Sequence, residues 1–247
     1  MANPLFEQIW NDGYVKTRAG DTVQYEAGVS AEFCEALAEE VARLKAPRVL
    51  EIGMAFGASS VHLADGIAAA GGGSLTAVDP FQSSDWRGIG IHNVEQAGHN
   101  SLLRVIEEPS FKALPRLLAD GEEFDFIFID GNHDFDHVFV DLFYADRLLV
   151  NGGMMVFDDC GQRPVSKAIR YLEAHRPYEL VRTVSSTRVA WRRLRRQIYR
   201  RLRGILHALP LSLQSNMVSE PVSFDQQGRF YRKRREESAA PNHYVPF

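Results

Sequence analysis

The sequence predicts an α/β protein: a Rossmann-like, doubly wound and mostly parallel seven-stranded sheet with helices on both faces, followed by a basic C-terminal extension. Three observations carry that expectation. Apolar runs of strand length alternate with stretches of helical periodicity from residue 28 onward, the pattern of βαβ units and a parallel sheet. Glycines stand directly after the first apolar run, in "LEIGMAFG", where a strand-to-helix turn lets the backbone approach a ligand. Acidic residues close later runs, in "AVDP", "FIFIDG" and "MVFDD", at the strand ends where such sheets hold ligands.

Residues 28–44, "GVSAEFCEALAEEVARL", form a helix with Ser30 as N-cap, Glu32 and Glu35 in the early turns, and apolar residues at helical spacing. "PRVLEIG" is the first strand, and "ASSVHLADGIAA" is the helix after it, stopped by Gly71, Gly72 and Gly73. "SLTAVDP" is the second strand, "NVEQAGH" part of the next helix, and "SLLRVIEE" the third strand. "SFKALPRLLAD" reads as a helix interrupted by Pro115, since an internal proline removes a backbone donor. "FDFIFID" is the fourth strand, "DHVFVDLFYADRLL" a helix, "GGMMVFDD" the fifth strand and "VSKAIRYLEAH" a helix. "YELVRTV" and "TRVAWRRL" are the candidates for a closing pair of strands. Residues from about 210 to 247, rich in Ser, Pro, Gln and charge, are expected to be irregular.

At 247 residues, with 45% hydrophobic and 24% charged content, the chain suits one such domain with appendages. Its two cysteines, Cys34 and Cys160, are too few for a disulfide framework. No apolar run resembles a signal peptide or is long enough to span a bilayer. A cytoplasmic location is therefore expected. The net charge of −4 is unevenly distributed: residues 1–187 hold 15 Lys/Arg and 28 Asp/Glu, whereas residues 188–247 hold 13 and 4. The two parts are expected to have different roles.

The stretch "VLEIGMAFGASS" reads E-x-G-x-x-x-G through Glu51, Gly53 and Gly57. A dinucleotide fold calls for G-x-G-x-x-G, and Ala55 and Ala58 break that pattern, which disfavours a nicotinamide oxidoreductase. Asp79 closes the second strand about 20 positions further on, where α/β nucleotide sites set an acid against ribose hydroxyls. Its plain alternative is a turn aspartate before Pro80. Together, the glycines and Asp79 favour a nucleoside-bearing cofactor.

With these residues the chain resembles the class I S-adenosylmethionine (SAM) methyltransferases, in particular the catechol-type and macrolide-sugar-type O-methyltransferases. The resemblance spans about residues 28–195 and rests on "LEIGMAFGASS", "AVDP", "EEPSFKALP", "FDFIFIDGNHD" and "GGMMVFDD" in the family's order. It implies that Gly53, Gly57 and Ser59 line the methionine part of SAM, with Glu51 nearby. It further implies that Asp79 binds the ribose diol, that Ser110 and Phe111 lie by the adenine, and that Asp130 faces the sulfonium.

Asp130 ends the fourth strand and Asp158 and Asp159 end the fifth, so the three carboxylates open onto one crevice. Clustered carboxylates repel unless a cation compensates them, and Mg²⁺ favours oxygen ligands. The alternative leaves Asp158 and Asp159 capping a turn and Asp130 as a cofactor contact only. In the resembling family a metal lies between such acids and chelates the acceptor hydroxyl. The catechol type ends its pair in Asp-Asn, and Asp158–Asp159 is more similar to the macrolide-sugar type. His133 stands three residues past Asp130, where the catechol type has a lysine base and the macrolide-sugar type carries His. An imidazole titrates near neutral pH and can take a proton from a hydroxyl whose pKa a metal lowers. A helix-start or surface role is the alternative for His133. His92 and His137 are assigned to packing or the rim, and Asp134 or Asp136 to the start of the next helix. Cys160 and the histidines lack the usual structural zinc spacing.

The resulting expectation is a SAM-dependent O-methyltransferase acting on a hydroxyl of a small metabolite, a sugar or secondary-metabolite scaffold. Asp130, Asp158 and Asp159 would hold Mg²⁺ or another divalent cation, and His133 would be the general base. Metal-independent methyl transfer and a non-catalytic SAM-binding protein are the alternatives. The expected division is an N-terminal segment 1–27 covering the acceptor site, a methyltransferase domain 28–195, and a basic amphipathic helix with an irregular tail over 196–247. The loop around Trp86 is a second candidate for the acceptor rim. From Arg188 to Arg203 the chain holds eight arginines and no acid, with Leu194, Ile198, Leu202, Ile205 and Leu209 near one helical stripe. That stripe is expected to dock on the acidic domain or on a second subunit, giving a homo-oligomer, ahead of peripheral contact with an anionic membrane. Nucleic acid is disfavoured, because no aromatic-basic recognition module accompanies the arginines.

Overall fold

Asn3 and Pro4 begin the first helix by chemistry visible in the sequence. The Asn3 Oδ1 accepts from the Leu5 N–H, and Pro4 takes an early position where its missing N–H is harmless. The computed structural model describes residues 3–26, 28–185 and 226–234. Helix α1 (Pro4–Asp12) leads into a hairpin of β1 (Tyr14–Lys16) and β2 (Thr22–Gln24). Then follow α2 (Ala31–Ala42), β3 (Arg48–Ile52), α3 (Ala58–Ala69), β4 (Ser74–Val78), α4 (Ile89–Gln96) and β5 (Leu103–Ile106). The second half holds α5 (Ser110–Ala119), β6 (Phe124–Ile129), α6 (Phe135–Leu148), β7 (Leu149–Phe157), α7 (Arg163–His175), β8 (Tyr178–Ser185) and β9 (Gln226–Lys233). Ser30 caps α2, its Oγ accepting from the Phe33 N–H.

The main sheet has seven strands in the order β5-β4-β3-β6-β7-β9-β8. The first five are parallel, and β9 runs antiparallel to both neighbours, so the α/β architecture read from the sequence holds. The chain builds outward from β3 to β5 and then returns to place β6 on the other side of β3. Strand order therefore reverses between β3 and β6, which opens a crevice beyond their carboxyl ends.

Helices cover both faces, which is why the strands read as continuous apolar runs rather than alternating ones. Val49, Phe126, Phe128 and Val156 pack under α2 and α3. Their strand neighbours Leu50, Ile127, Ile129 and Phe157 pack under α5, α6 and α7. The N-terminal segment belongs to the first of these layers, since Phe6 of α1 is fully buried there and Trp10 stacks on His62 of α3. No helix among the described residues is long and apolar enough to cross a membrane.

Two expectations need correction. Helix α5 is not interrupted at Pro115; it runs unbroken, with Ala113, Leu114 and Leu117 buried against the sheet. A proline at this point forfeits one backbone bond and kinks rather than ends a helix whose apolar face is anchored. The strand that closes the sheet with β8 is 226–233, inside the stretch expected to be irregular, whereas 187–194 lies outside the described residues. The sheet thus draws on residues well past 195, the limit expected for the domain. The basic stretch and its apolar stripe also lie outside the described residues.

Candidate active site

Register brings the site together. Ile52 pairs with Val78 and with Ile129, and Ile129 pairs with Phe157, so the next residues leave the sheet at one level. Those residues are Gly53, Asp79, Asp130 and Asp158. The ladder continues through them: the Gly53 N–H donates to Val78 O (2.9 Å), that of Asp130 to Ile52 O (2.8 Å) and that of Asp158 to Ile129 O (3.1 Å).

The β3–α3 loop is drawn tight by its glycines. Gly53 has φ +90°, and a Cβ there would stand 2.0 Å from the Asp130 carbonyl oxygen. Gly57 has φ +80°, and its Cβ would meet Gly90 O at 2.8 Å. Neither position admits a side chain. The Asp79 carboxylate turns back onto this loop: Oδ2 accepts from Met54 N (3.0 Å), Ala55 N (2.8 Å) and Gln82 Nε2 (3.2 Å), and Oδ1 from Phe81 N (2.9 Å). Gln82 also donates to Ala55 O (2.8 Å), and Asn93 Nδ2 donates to Phe56 O (2.9 Å). Asp79 is 3% exposed, so it organises the loop from behind.

Glu51 is fully buried, with Ser59 Oγ–H donating to one carboxylate oxygen and Ser60 Oγ–H to the other. Burial pushes its pKa up to about 7 against the pull of those two hydroxyls, with Asp79 adding to the rise. Ser59 is thereby engaged in the floor of the loop. Ser110 opens α5, and Phe111 is 47% exposed with its ring edge-to-face on His137 of α6. Asp141 of α6 is buried, and desolvation pushes its pKa up to about 6 against the opposing pull of the Ser110 side chain. A Cβ on Gly131 would touch its Oδ2 at 3.4 Å.

Beside the glycine loop three side chains converge. His133 Nε2 lies 3.2 Å from Asp159 Oδ2 and 3.6 Å from Asp130 Oδ1. Asp130, His133 and Asp159 each bring one ligand atom within 4.8 Å of the others, and each is partly buried. Asp159 adopts φ +49°, a left-handed conformation that aspartate tolerates at the end of a strand. Asp158 sits behind it, 6% exposed, with Oδ1 accepting the Asp159 N–H at 2.7 Å. Burial first, and then neighbouring carboxylates, raises both Asp130 and Asp158 well above the ordinary carboxylate range. The carboxylates are thus placed where a cation would relieve their repulsion. Asp134 is the N-cap residue of α6 and Asp136 lies in its first turn.

Residues 50–160 match a family model described as a methyltransferase domain. Three solved structures have the same fold at low identity. Cofactor-bound Rv0187 from MTB is 18% identical, with a TM-score of 0.64 over 95% of this chain and 91% of that one. The O-methyltransferase from Bacillus cereus in complex with SAH is 18% identical, with a TM-score of 0.58 over 83% of this chain and 81% of that one. The O-methyltransferase TomG from Streptomyces achromogenes, in complex with SAM, is 17% identical, with a TM-score of 0.58 over the same shares. This is a class I methyltransferase fold. No curated protein matches the chain in sequence.

Within the methyltransferase fold the residues expected from the sequence fall into three groups. Asp130, His133 and Asp159 converge beside the loop shaped by Gly53 and Gly57, whereas Glu51, Ser59, Asp79 and Asp158 are buried behind it and Ser110 and Phe111 stand at the start of α5. Gln82, Asn93 and Asp141 were not anticipated. Nothing local distinguishes Asn93, whose partner is a backbone oxygen 37 residues away, and Gln82 joins its neighbour Asp79 to a backbone oxygen 27 residues away. Asp141 did carry a signal, as an acid in helical phase with the buried Val138, Leu142 and Ala145.

Proposed function

We propose that the protein transfers the methyl group of SAM to a hydroxyl of a small metabolite, such as a sugar or secondary-metabolite scaffold, at a divalent-cation site. The convergence of Asp130, His133 and Asp159 beside the Gly53–Gly57 loop is the observation that carries this reading. The two O-methyltransferases that share the fold, bound to SAH and to SAM, support the choice of cofactor.

The donor set fits a cation: two carboxylate oxygens face an imidazole nitrogen that is buried and lacks a hydrogen-bond partner. A cation there would lower the pKa of an acceptor hydroxyl and fix its oxygen by charge. The chain supplies the rest. The bare backbone at Gly53 lets β3 and β6 close on one another at the crevice, and Asp79 ties down the loop that would hold the amino-acid end of SAM. The exposed ring of Phe111 offers a stacking face for adenine. As the bond from carbon to sulfur breaks, the bond from carbon to oxygen forms, and the hydroxyl proton leaves to a base in the crevice. His133 is the base expected from the sequence. Its Nε2 can hold a proton or a cation, not both at once.

The test is methyl transfer from labelled SAM to a panel of vicinal-diol acceptors, with calorimetric titration of S-adenosylhomocysteine alongside. Cation-dependent labelling that Asp130→Asn and Asp159→Asn reduce at least 100-fold supports the proposal. Cofactor binding with equal labelling in chelator would remove the cation from it, and absence of cofactor binding would overturn it entirely.

A further inference from the structure

We infer that His133 is itself a metal ligand, completing an Asp–His–Asp set with Asp130 and Asp159, and that the site therefore prefers a first-row transition dication to Mg²⁺. This rests on the cation site proposed above and replaces the base role of His133 within it.

The geometry argues for ligation. Ligands held about 2.1 Å from one ion at adjacent octahedral positions are about 3.0 Å apart, and about 3.4 Å apart around a tetrahedral one. The Nε2 contacts of 3.2 Å to Asp159 and 3.6 Å to Asp130 fall around those spacings. Both contacts are at ion-pair distance and neither is a hydrogen bond, and the nitrogen is out of water, so as an isolated imidazole it has an unmet acceptor or donor. A nitrogen between two carboxylate oxygens, close to both and hydrogen-bonded to neither, is placed as a ligand is placed. Asp158, by contrast, is turned away from the set: it is almost fully buried, and one of its oxygens is engaged by the Asp159 N–H. Its work is to fix the left-handed turn that presents Asp159.

The metal preference follows from donor chemistry. Mg²⁺ prefers an all-oxygen shell, and exchanging one carboxylate for imidazole moves a site toward transition metals. A base and a ligand also predict different defects. Removing a base lowers turnover and leaves metal affinity intact, whereas removing a ligand weakens metal binding before any substrate is present.

The experiment uses Mn²⁺ as the probe on the full chain with S-adenosylhomocysteine. Pulsed electron paramagnetic resonance of the bound Mn²⁺ should show coupling to one directly bound imidazole nitrogen, lost in His133→Ala and kept in Asp158→Asn. Calorimetric competition should show Mn²⁺ at least tenfold tighter than Mg²⁺ in the parent, with that ratio shrinking in His133→Ala. Mn²⁺ bound with no nitrogen coupling in the parent protein overturns the inference while leaving the cation-dependent methyltransferase standing. S-adenosylhomocysteine bound without any Mn²⁺ overturns both the inference and the cation site, and leaves only the cofactor assignment. The parent spectrum alone decides the ligand question, so the outcome does not depend on a variant that folds poorly.

Discussion

At the scale of single residues, two glycines separate conformation from contact. Gly53 and Gly152 have nearly the same φ, +90° and +86°, so an alanine at either bears the cost of a positive φ, about 1 kcal/mol. At Gly152 a Cβ meets nothing within 4 Å, whereas at Gly53 it stands 2.0 Å from the Asp130 carbonyl oxygen. Gly152→Ala should therefore destabilise by about 1 kcal/mol and leave S-adenosylhomocysteine affinity unchanged. Gly53→Ala should cost about 2 kcal/mol more, since β3 and β6 must part at the crevice, and should weaken the cofactor at least tenfold. Denaturant unfolding and calorimetry read both effects; equal losses at the two positions would show that close approach at Gly53 is unimportant.

At the scale of elements, the sequence was most legible where an element's own residues determine it. Ser30 caps α2 within three residues, and the glycines after β3 and the acids ending β4, β6 and β7 are marked by residue type at strand ends, although their partners lie far away in the chain. Pro115 was misread because the packing of Ala113, Leu114 and Leu117, which holds α5 together, is tertiary. Asn93 was invisible for the same reason. The docking of α1 on α3 is another such contact, and it is sensitive to protonation. His62 Nδ1 lies 2.7 Å from Ala58 O, and its Nε2 accepts the Asn3 N–H at 3.1 Å, which requires the neutral ring. Burial lowers its pKa, against the opposing pull of the Ala58 carbonyl, Asp65 and Glu35. A histidine with a lowered folded pKa binds its proton more readily when unfolded. The stability it contributes is present above about pH 6.5 and declines as pH falls from there toward the folded value. Hydrogen exchange, corrected for intrinsic rates, should show α1 losing protection relative to β6 on acidification across that window. Protection of α1 that stays constant would break the link between His62 and the N-terminal segment.

At the scale of the whole molecule, the last described strand decides where the folding unit ends. Its side chains reach both layers: Phe230 is fully buried with the α2–α3 layer, and Tyr231 with the α5–α7 layer. Arg229 Nη1 donates to Glu173 of α7 at 2.9 Å, and the Tyr231 hydroxyl donates to the same carboxylate at 2.6 Å. Lys233 Nζ donates to the Leu149 carbonyl at 3.2 Å. Even Gly228 has a packing role, since a Cβ there would lie 2.1 Å from the Phe33 ring. Burying two aromatic side chains contributes about 5 kcal/mol, comparable with the entire stability of a typical domain. Without β9, β7 has a bare edge and β8 has no partner in the sheet. A chain cut after residue 195, the boundary suggested by the sequence, should therefore lose cooperative thermal unfolding and cofactor binding. A chain cut after 234 should keep both. Circular dichroism melts and titration with S-adenosylhomocysteine distinguish them, and a cooperative, cofactor-binding 1–195 fragment would mean that the five parallel strands suffice. The expected loss follows from topology: β9, the last described strand in chain order, lies between β7 and β8, so the sheet that carries the crevice at the ends of β3 and β6 depends on residues far from it in the chain.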